Sequence, residues 1–314
     1  MPNFGRTSEK VSLAAAQPGR DEMMKMKLQG KRALVTGASV GIGKAIARAL
    51  AERGVLVAIA ARRTAALEEL ADEIARAGHR RPVVLATDLA KRGAAADLAA
   101  RAVAALGQVD ILVNSAGASI VGSQWVAADG AAARELFEIN YWSPLALIQA
   151  LVPAMRQRKD GAVVNVTSLA GVAPWVFTGH YSSTKAALSL ASETLRLELN
   201  GSGVHVLEVT PGPTETALLA GARRDVPGAG AAMAWGPRGN TETLARLVVR
   251  ALERRRKAFV YPRPFCLAPL LPGVARWFMA QIQRKLDGDE ARLEAAREDV
   301  GAAAGGRRLT KNRP

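Results

Sequence analysis

The chain is 314 residues long and 49% hydrophobic, which suits one large α/β domain or two smaller ones, and no apolar run reaches the roughly 18 residues of a membrane span. A single cysteine, Cys266, excludes an intramolecular disulfide framework and fits a reducing compartment, so a cytoplasmic protein is expected. The net charge of +15 sits mostly at the ends, +4 within residues 1–32 and +7 within 252–314; with no RNA-binding aromatic motif or zinc spacing beside it, it reads as solvated surface, and neither a nucleic-acid partner nor a bound metal is expected.

Residues 1–27 show no sustained period and read as a mobile tail. They lack an apolar stretch behind basic residues, so no secretory signal is evident, and Met23, Met24 and Met26 offer a second place for translation to start. From Arg32 short β-rich runs alternate with helical ones. RALVTG (32–37) leads to a helix from Gly41, VLVAIA (55–60) to one from Thr64, and VVLATD (83–88) to one from Lys91. DILVNS (110–115) precedes a long helix over about 130–158, and AVVNVTS (162–168) a helix over about 179–199. VHVLEVT (204–210), a broken segment, a helix over about 240–254 and AFVY (258–261) complete the series. The strands are apolar almost throughout, as in a parallel sheet covered on both faces, so the pattern predicts a seven-stranded doubly wound α/β domain over 28–262. Residues 212–239, rich in glycine and proline, are a candidate lid or substrate loop. Residues 263–300 form a C-terminal helical extension, and 301–314 read as a disordered tail.

Thr36-Gly37-Ala38-Ser39-Val40-Gly41-Ile42-Gly43 follows the first strand and opens the first helix. Glycines there let a pyrophosphate approach the main chain, and the helix N-terminus offers free N–H donors. Three glycines alone also make ordinary turns; the strand-turn-helix setting favours a nucleotide. The second strand ends in Ala61-Arg62-Arg63, without the acid that usually meets the ribose hydroxyls of NAD. Arg62 is therefore the expected reader of a 2′-phosphate, and NADP(H) is preferred over NAD(H), which stays possible.

Further along stand Asn114-Ser115-Ala116-Gly117 after the fourth strand, Asn140 in FEINYWSP, Ser168 ending the fifth strand, Tyr181 and Lys185 in HYSSTK, and Pro211-Gly212 after the sixth strand. Each alone has an ordinary reading: a helix face, a cap, a buried amide, a turn. Together and in this order, over about 28–260, they resemble the short-chain dehydrogenases/reductases, with TGASVGIG as the TGxxxGxG element and Tyr181/Lys185 as YxxxK. Ser115 departs from that family's NNAG element, at a position that transfers no proton. The resemblance implies a Rossmann sheet of order 3-2-1-4-5-6-7, a homodimer or homotetramer, and a catalytic set Asn140, Ser168, Tyr181 and Lys185.

On a helix Tyr181 and Lys185 lie one turn apart on one face. The ammonium, with the positive ring of an oxidised nicotinamide, is expected to lower the phenol pKa toward neutrality, so that Tyr181 exchanges a proton with a carbonyl or alcohol oxygen. Ser168 would hydrogen-bond that oxygen, Lys185 hold the nicotinamide ribose, and Asn140, as the resemblance implies, hold a water linking Lys185 to solvent. The cofactor contacts expected are Gly37, Ser39, Gly41, Ile42, Gly43, Arg62, Asp88, Asn114, Ala116, Gly117, Tyr181, Lys185, Pro211, Gly212 and Thr214. Asp88 and Thr214 read equally as caps, as does Thr216. His180 is left out, as a lone polar residue.

Pro174, Trp175, Val176 and Phe177 lie between Ser168 and Tyr181 and suggest an apolar pocket for a lipophilic ketone, aldehyde, 3-oxoacyl or steroid-like substrate. PRPFCLAPLLPGVARWFMAQIQRKL in the extension would dock on a membrane surface, cover the substrate entrance or pack on another subunit. The last two are favoured, since one short segment gives only modest membrane affinity. The alternative to an enzyme is a non-catalytic NADP(H)-binding regulator of the same fold, which would need no acid/base pair.

Overall fold

A computed structural model describes residues 25–215 and 237–283. The proposed N-terminal tail up to residue 24, most of the candidate lid (216–236, with Thr216) and everything after 283 lie outside the described residues. Seven strands, β1 (Arg32–Thr36), β2 (Leu56–Ala61), β3 (Val83–Ala86), β4 (Ile111–Asn114), β5 (Gly161–Val166), β6 (Val204–Pro211) and β7 (Ala258–Tyr261), form one parallel sheet in the order β3-β2-β1-β4-β5-β6-β7. This is the doubly wound sheet expected from the strand-helix alternation, in the Rossmann order that the family resemblance implies.

The pleat explains why the strands carry so few polar residues. Ala33 and Val35 of β1, Val57 and Ile59 of β2, and Ile111 and Val113 of β4 point to one face. There they meet Ile46 and Leu50 of α1 (Gly41–Ala51), Leu67, Leu70 and Ile74 of α2 (Thr64–Arg76), and further along the sheet Leu244, Val248 and Leu252 close the layer. The intervening Leu34, Ala58 and Leu112 point to the opposite face, toward Leu98 and Ala102 of α3 (Ala94–Leu106) and a later helix that supplies Leu147, Leu151 and Met155. Alternation of faces along a strand, with helices on both, requires an apolar residue at nearly every strand position. Met26 and Leu28 already belong to the first of these layers, and the Met26 N–H donates to Glu253 O, so packing begins ahead of the predicted boundary at residue 28.

Two predicted helices are built differently. The helix expected from Lys91 begins at Ala94, because Asp88 first closes a turn, its carboxylate accepting from Ala90 N, and Gly93 adopts a positive φ of 85°. The single helix expected over 130–158 is divided. After the short α4 (Gln124–Ala127), α5 (Ala131–Phe137) passes through a wide π-helical turn, Glu138–Trp142, into α6 (Ser143–Arg158). The remaining helices are α7 (Gly179–Glu198), α8 (Thr241–Glu253), whose N-cap Asn240 accepts from Thr243 N, and α9 (Pro272–Gln283). Chain order runs outward from β1 through β2 and β3, then returns to β4 on the other side of β1. The crevice beyond the strand ends at that reversal is where such sheets bind ligands.

Candidate nucleotide and active site

β1 delivers the chain into the glycine loop at this crevice. Gly37 has φ +67°, and a Cβ there would stand 2.7 Å from Ala116 Cα. A Cβ on Gly43 would stand 2.4 Å from Gly37 O. The loop is therefore folded back on the start of α1 and laid against the segment after β4, with no room for side chains on its inner surface. At its mouth α1 starts at Gly41 with no side-chain cap on its first N–H groups and no acid in its first turn. Those donors and the positive helix end suit an anion, so the loop fits the pyrophosphate of a dinucleotide.

A threonine that the sequence reading passed over holds the two halves together. Thr36 Oγ1 donates to Val113 O (3.2 Å) and accepts from Ser115 N and Ala116 N (3.1 Å each). One buried hydroxyl thus joins the ends of β1 and β4 and fixes Ala116 against Gly37. The TGA beginning of the glycine loop held the clue, since its threonine is the last residue of β1.

Beyond Ala116 the chain reaches the predicted proton-transfer residues. A Cβ built on Gly117 would lie 3.5 Å from both Asn140 Oδ1 and Lys185 Nζ, so those two groups converge on this position. Asn140 is fully buried in the π turn. Its Oδ1 accepts from Ala118 N (2.9 Å), and its Nδ2 donates to Ala118 O (2.9 Å) and Thr184 Oγ1 (3.0 Å). Both amide protons are spent on structure, so a water held by Asn140 has its main-chain carbonyl or the second lone pair of Oδ1 to use. Lys185 is buried, with Val166 O, 3.0 Å away, its hydrogen-bond acceptor among the described residues. Its ammonium lies 5.9 Å from the centroid of the Tyr181 ring. Burial lowers its pKa to about 8.

In the protein alone, Tyr181 does not show the lowering expected from Lys185 together with an oxidised nicotinamide. Burial raises the phenol pKa, and the hydroxyl of Ser168 beside it pulls the other way without prevailing. Lys185 stands over the ring and does not offset that rise. In the protein alone the phenol therefore stays protonated at neutral pH. Ser168 itself caps the short 3₁₀ turn Leu169–Gly171, its Oγ accepting from Ala170 N (3.1 Å).

The other predicted contacts vary. Arg62 is exposed and makes no hydrogen bond among the described residues, whereas Arg63 Nη2 approaches Ser39 Oγ in the glycine loop at 3.5 Å. Asp88 is occupied with its own turn. Asn114 is buried and donates to Asn165 Oδ1 (2.8 Å), and Asn165 in turn donates to Ser192 Oγ of α7 (2.9 Å), so it ties β4 through β5 to the helix bearing Tyr181. Pro211 ends β6. Gly212 donates to Tyr261 O (2.7 Å), and Thr214 Oγ1 donates to Gly212 O (3.1 Å), a local turn contact. Phe177 holds φ at 64°, with its carbonyl accepting from Gly122 N (2.8 Å), so the loop before α7 is pinned to the segment after β4. A bulky residue in that region is held by its surroundings at a cost. His180 Nε2 is buried with no hydrogen-bond partner among the described residues.

A doubly wound sheet with a glycine loop at its reversal point defines a nucleotide-binding Rossmann protein. The model of the short chain dehydrogenase family matches residues 31–227, and the chain belongs to that family. A short chain dehydrogenase of Pseudocercospora fijiensis is 39% identical over 207 residues, a match covering 63% of this chain and 64% of the fungal protein. A dehydrogenase/reductase SDR family protein 7-like of Anopheles gambiae is 30% identical over 273 residues, 83% of this chain and 85% of the insect protein. Among solved structures, L-sorbose reductase from Gluconobacter frateurii, complexed with NADPH and L-sorbose, superposes with a TM-score of 0.68 at 29% identity, covering 76% of this chain and 97% of that one.

Proposed function

We propose that the protein is an NADP(H)-dependent oxidoreductase interconverting a carbonyl and a secondary alcohol. The observation that carries this is a linked set next to a glycine loop with an uncapped helix end: Asn140 and Lys185 converge beside Gly117, Lys185 lies over the ring of Tyr181, and Tyr181 has the hydroxyl of Ser168 beside it. A bound nicotinamide dinucleotide phosphate supplies or accepts the hydride. Tyr181, kept protonated by burial, donates its proton to the carbonyl oxygen during reduction, and Ser168 hydrogen-bonds the same oxygen as charge develops. Lys185 has donors beyond the one used on Val166 O and would hold ribose hydroxyls. A regulator without turnover would have no use for an acid/base pair in this set. A homodimer or homotetramer is proposed with it.

NADP(H) is supported by the missing acid after β2, by Arg62 and Arg63 there, and by the NADPH of the sorbose reductase neighbour. Both arginines follow the end of β2, and Arg63 leans on Ser39 of the glycine loop, which supports a 2′-phosphate there. NADPH should exceed NADH in kcat/KM, and Arg62→Ala should raise the KM for NADPH about 10-fold while leaving NADH unchanged. Better use of NADH by the unaltered protein would reverse the assignment. For the substrate, Pro174, Trp175, Val176 and Phe177 before α7 favour a lipophilic carbonyl, while the sorbose of the neighbour supports a ketose as the second reading. NADPH oxidation across carbonyls of graded chain length and ring size, with free ketoses included, separates the two. Activity confined to ketoses removes the lipophilic reading; no activity on any carbonyl removes the enzyme.

A further inference from the structure

The loop that leads from Ser168 to Tyr181 does not satisfy its own main chain. Val172 O, Pro174 O and Val176 N have no main-chain partner among the described residues. Side chains of α9 supply what is missing. Arg276 Nε donates to Val172 O (3.0 Å). The amide of Gln283 takes two groups at once, its Nε2 donating to Pro174 O (3.2 Å) and its Oε1 accepting from Val176 N. The same Nε2 also donates to Met279 O (3.1 Å), which ties the Gln283 side chain back to its own helix. Arg276 and Gln283 lie two turns apart, on the face of α9 that half-buries Ala275, Met279 and Ile282. Packing seats the helix, and the hydrogen bonds fix the loop to it. The extension meets the site again where it begins. It leaves β7 through the 3₁₀ turn Arg263–Phe265, and a Cβ built on Gly212 would stand 3.2 Å from Phe265 Cδ2 and 2.8 Å from Leu169 Cδ1. Gly212 is thereby enclosed between the residue after Ser168 and the first turn of the extension.

We propose that Arg276 and Gln283 are positioning residues for the substrate: by fixing the backbone from Val172 to Val176 they set the wall that the loop presents to the part of the substrate beyond its reacting carbonyl. This rests on the reductase reading above. Both side chains bind main-chain atoms, so they govern where the wall stands and leave its chemistry to the loop's own residues. A binding loop holds a fixed shape only when regular structure supports it, and here the support is a helix added after the last strand. Three hydrogen bonds to one short stretch leave its carbonyls and the Val176 N–H a single arrangement. Loosening that stretch weakens the grip on a large apolar substituent. Tyr181, Lys185 and the glycine loop are held by other contacts, so the proton path and the NADPH site stay as they are. The cost therefore falls on KM for the carbonyl and not on kcat. A substrate too small to reach the loop is unaffected, so α9 acts on substrate size.

The test compares the full chain with Gln283→Met, Arg276→Met and Arg276→Lys. Steady-state kinetics are measured on the smallest and the largest ketones that the unaltered chain reduces, from a series running from butanone to decalone. In each methionine variant the KM for the largest ketone should rise about 10-fold, as for a lost hydrogen bond. The KM for the smallest ketone, kcat, the KM for NADPH and the melting temperature should not move. Arg276→Lys keeps a donor for Val172 O and should recover most of the loss. Amide hydrogen exchange across residues 175–177 should quicken about 10-fold in Gln283→Met, because Val176 N–H loses its acceptor. An unchanged KM for the largest ketone, a rise shared equally by both ketones, or unchanged exchange would overturn the inference and leave the reductase standing. No turnover by the unaltered chain, or turnover of ketoses alone, would remove the reading on which the substrate role rests, and that role with it.

Discussion

Lys185 is a buried ammonium with a single carbonyl to satisfy it among the described residues, and its pKa falls to about 8 against 10.5 for a free lysine. Folding therefore releases a proton between about pH 8 and 10.5. The cost of the buried charge is fully present below pH 8 and is relieved as pH rises through that window. Lys185→Met should stabilise the protein by about 1–3 kcal/mol at neutral pH, with the gain shrinking toward pH 10, and should abolish turnover. Denaturant titrations at the two pH values check this; a variant less stable at neutral pH would contradict it. The i, i+4 spacing of Tyr181 and Lys185 was legible because one helix carries both. The phenol's raised pKa was not, since spacing says nothing of burial. Asn140 could be picked out by its position, but its partner Ala118 lies 22 residues earlier on another loop, a contact only the fold creates. Arg63, rather than Arg62, reaching toward Ser39 depends on how β2 ends, which composition does not encode.

At the scale of elements, the turn between β1 and α1 and the π turn before α6 carry the site. Gly43→Ala would force a Cβ to within 2.4 Å of Gly37 O, so the loop must open or α1 must shift. The expected result is a loss of about 1–3 kcal/mol in stability and at least a 10-fold weaker NADPH affinity, measured by thermal melts and calorimetric titration. Native melting and unchanged affinity would show that the loop does not bind the cofactor. The strand-turn-helix reading of TGASVGIG was available from sequence because strand, glycines and helix are local. The π turn was not: residues 130–158 have one continuous helical pattern, and the widening at Glu138–Trp142 accompanies the pull of Asn140 toward Ala118. Such π turns recur at functional sites.

The whole sheet was readable strand by strand, since burial on both faces leaves each strand apolar and each crossover helical. What the pattern lacked was the orientation of the parts added to that sheet, above all α9, which half-buries Ala275, Met279 and Ile282 but leaves Val274, Trp277 and Phe278 exposed. A second exposed apolar face lies on α7, where Leu190 and Leu197 are spaced seven residues apart and largely exposed. If the proposed homo-oligomer forms there, Leu190→Asp should convert it to monomer in light scattering while leaving secondary structure intact; an unchanged mass would exclude that face.

The proton-transfer role of Tyr181 is tested most directly by comparing NADPH oxidation by the unaltered protein and by Tyr181→Phe, with NADPH affinity measured on both. Removal of the one hydroxyl should cut kcat by about 10²–10⁴-fold with affinity unchanged. Retained turnover in the phenylalanine variant would contradict the account.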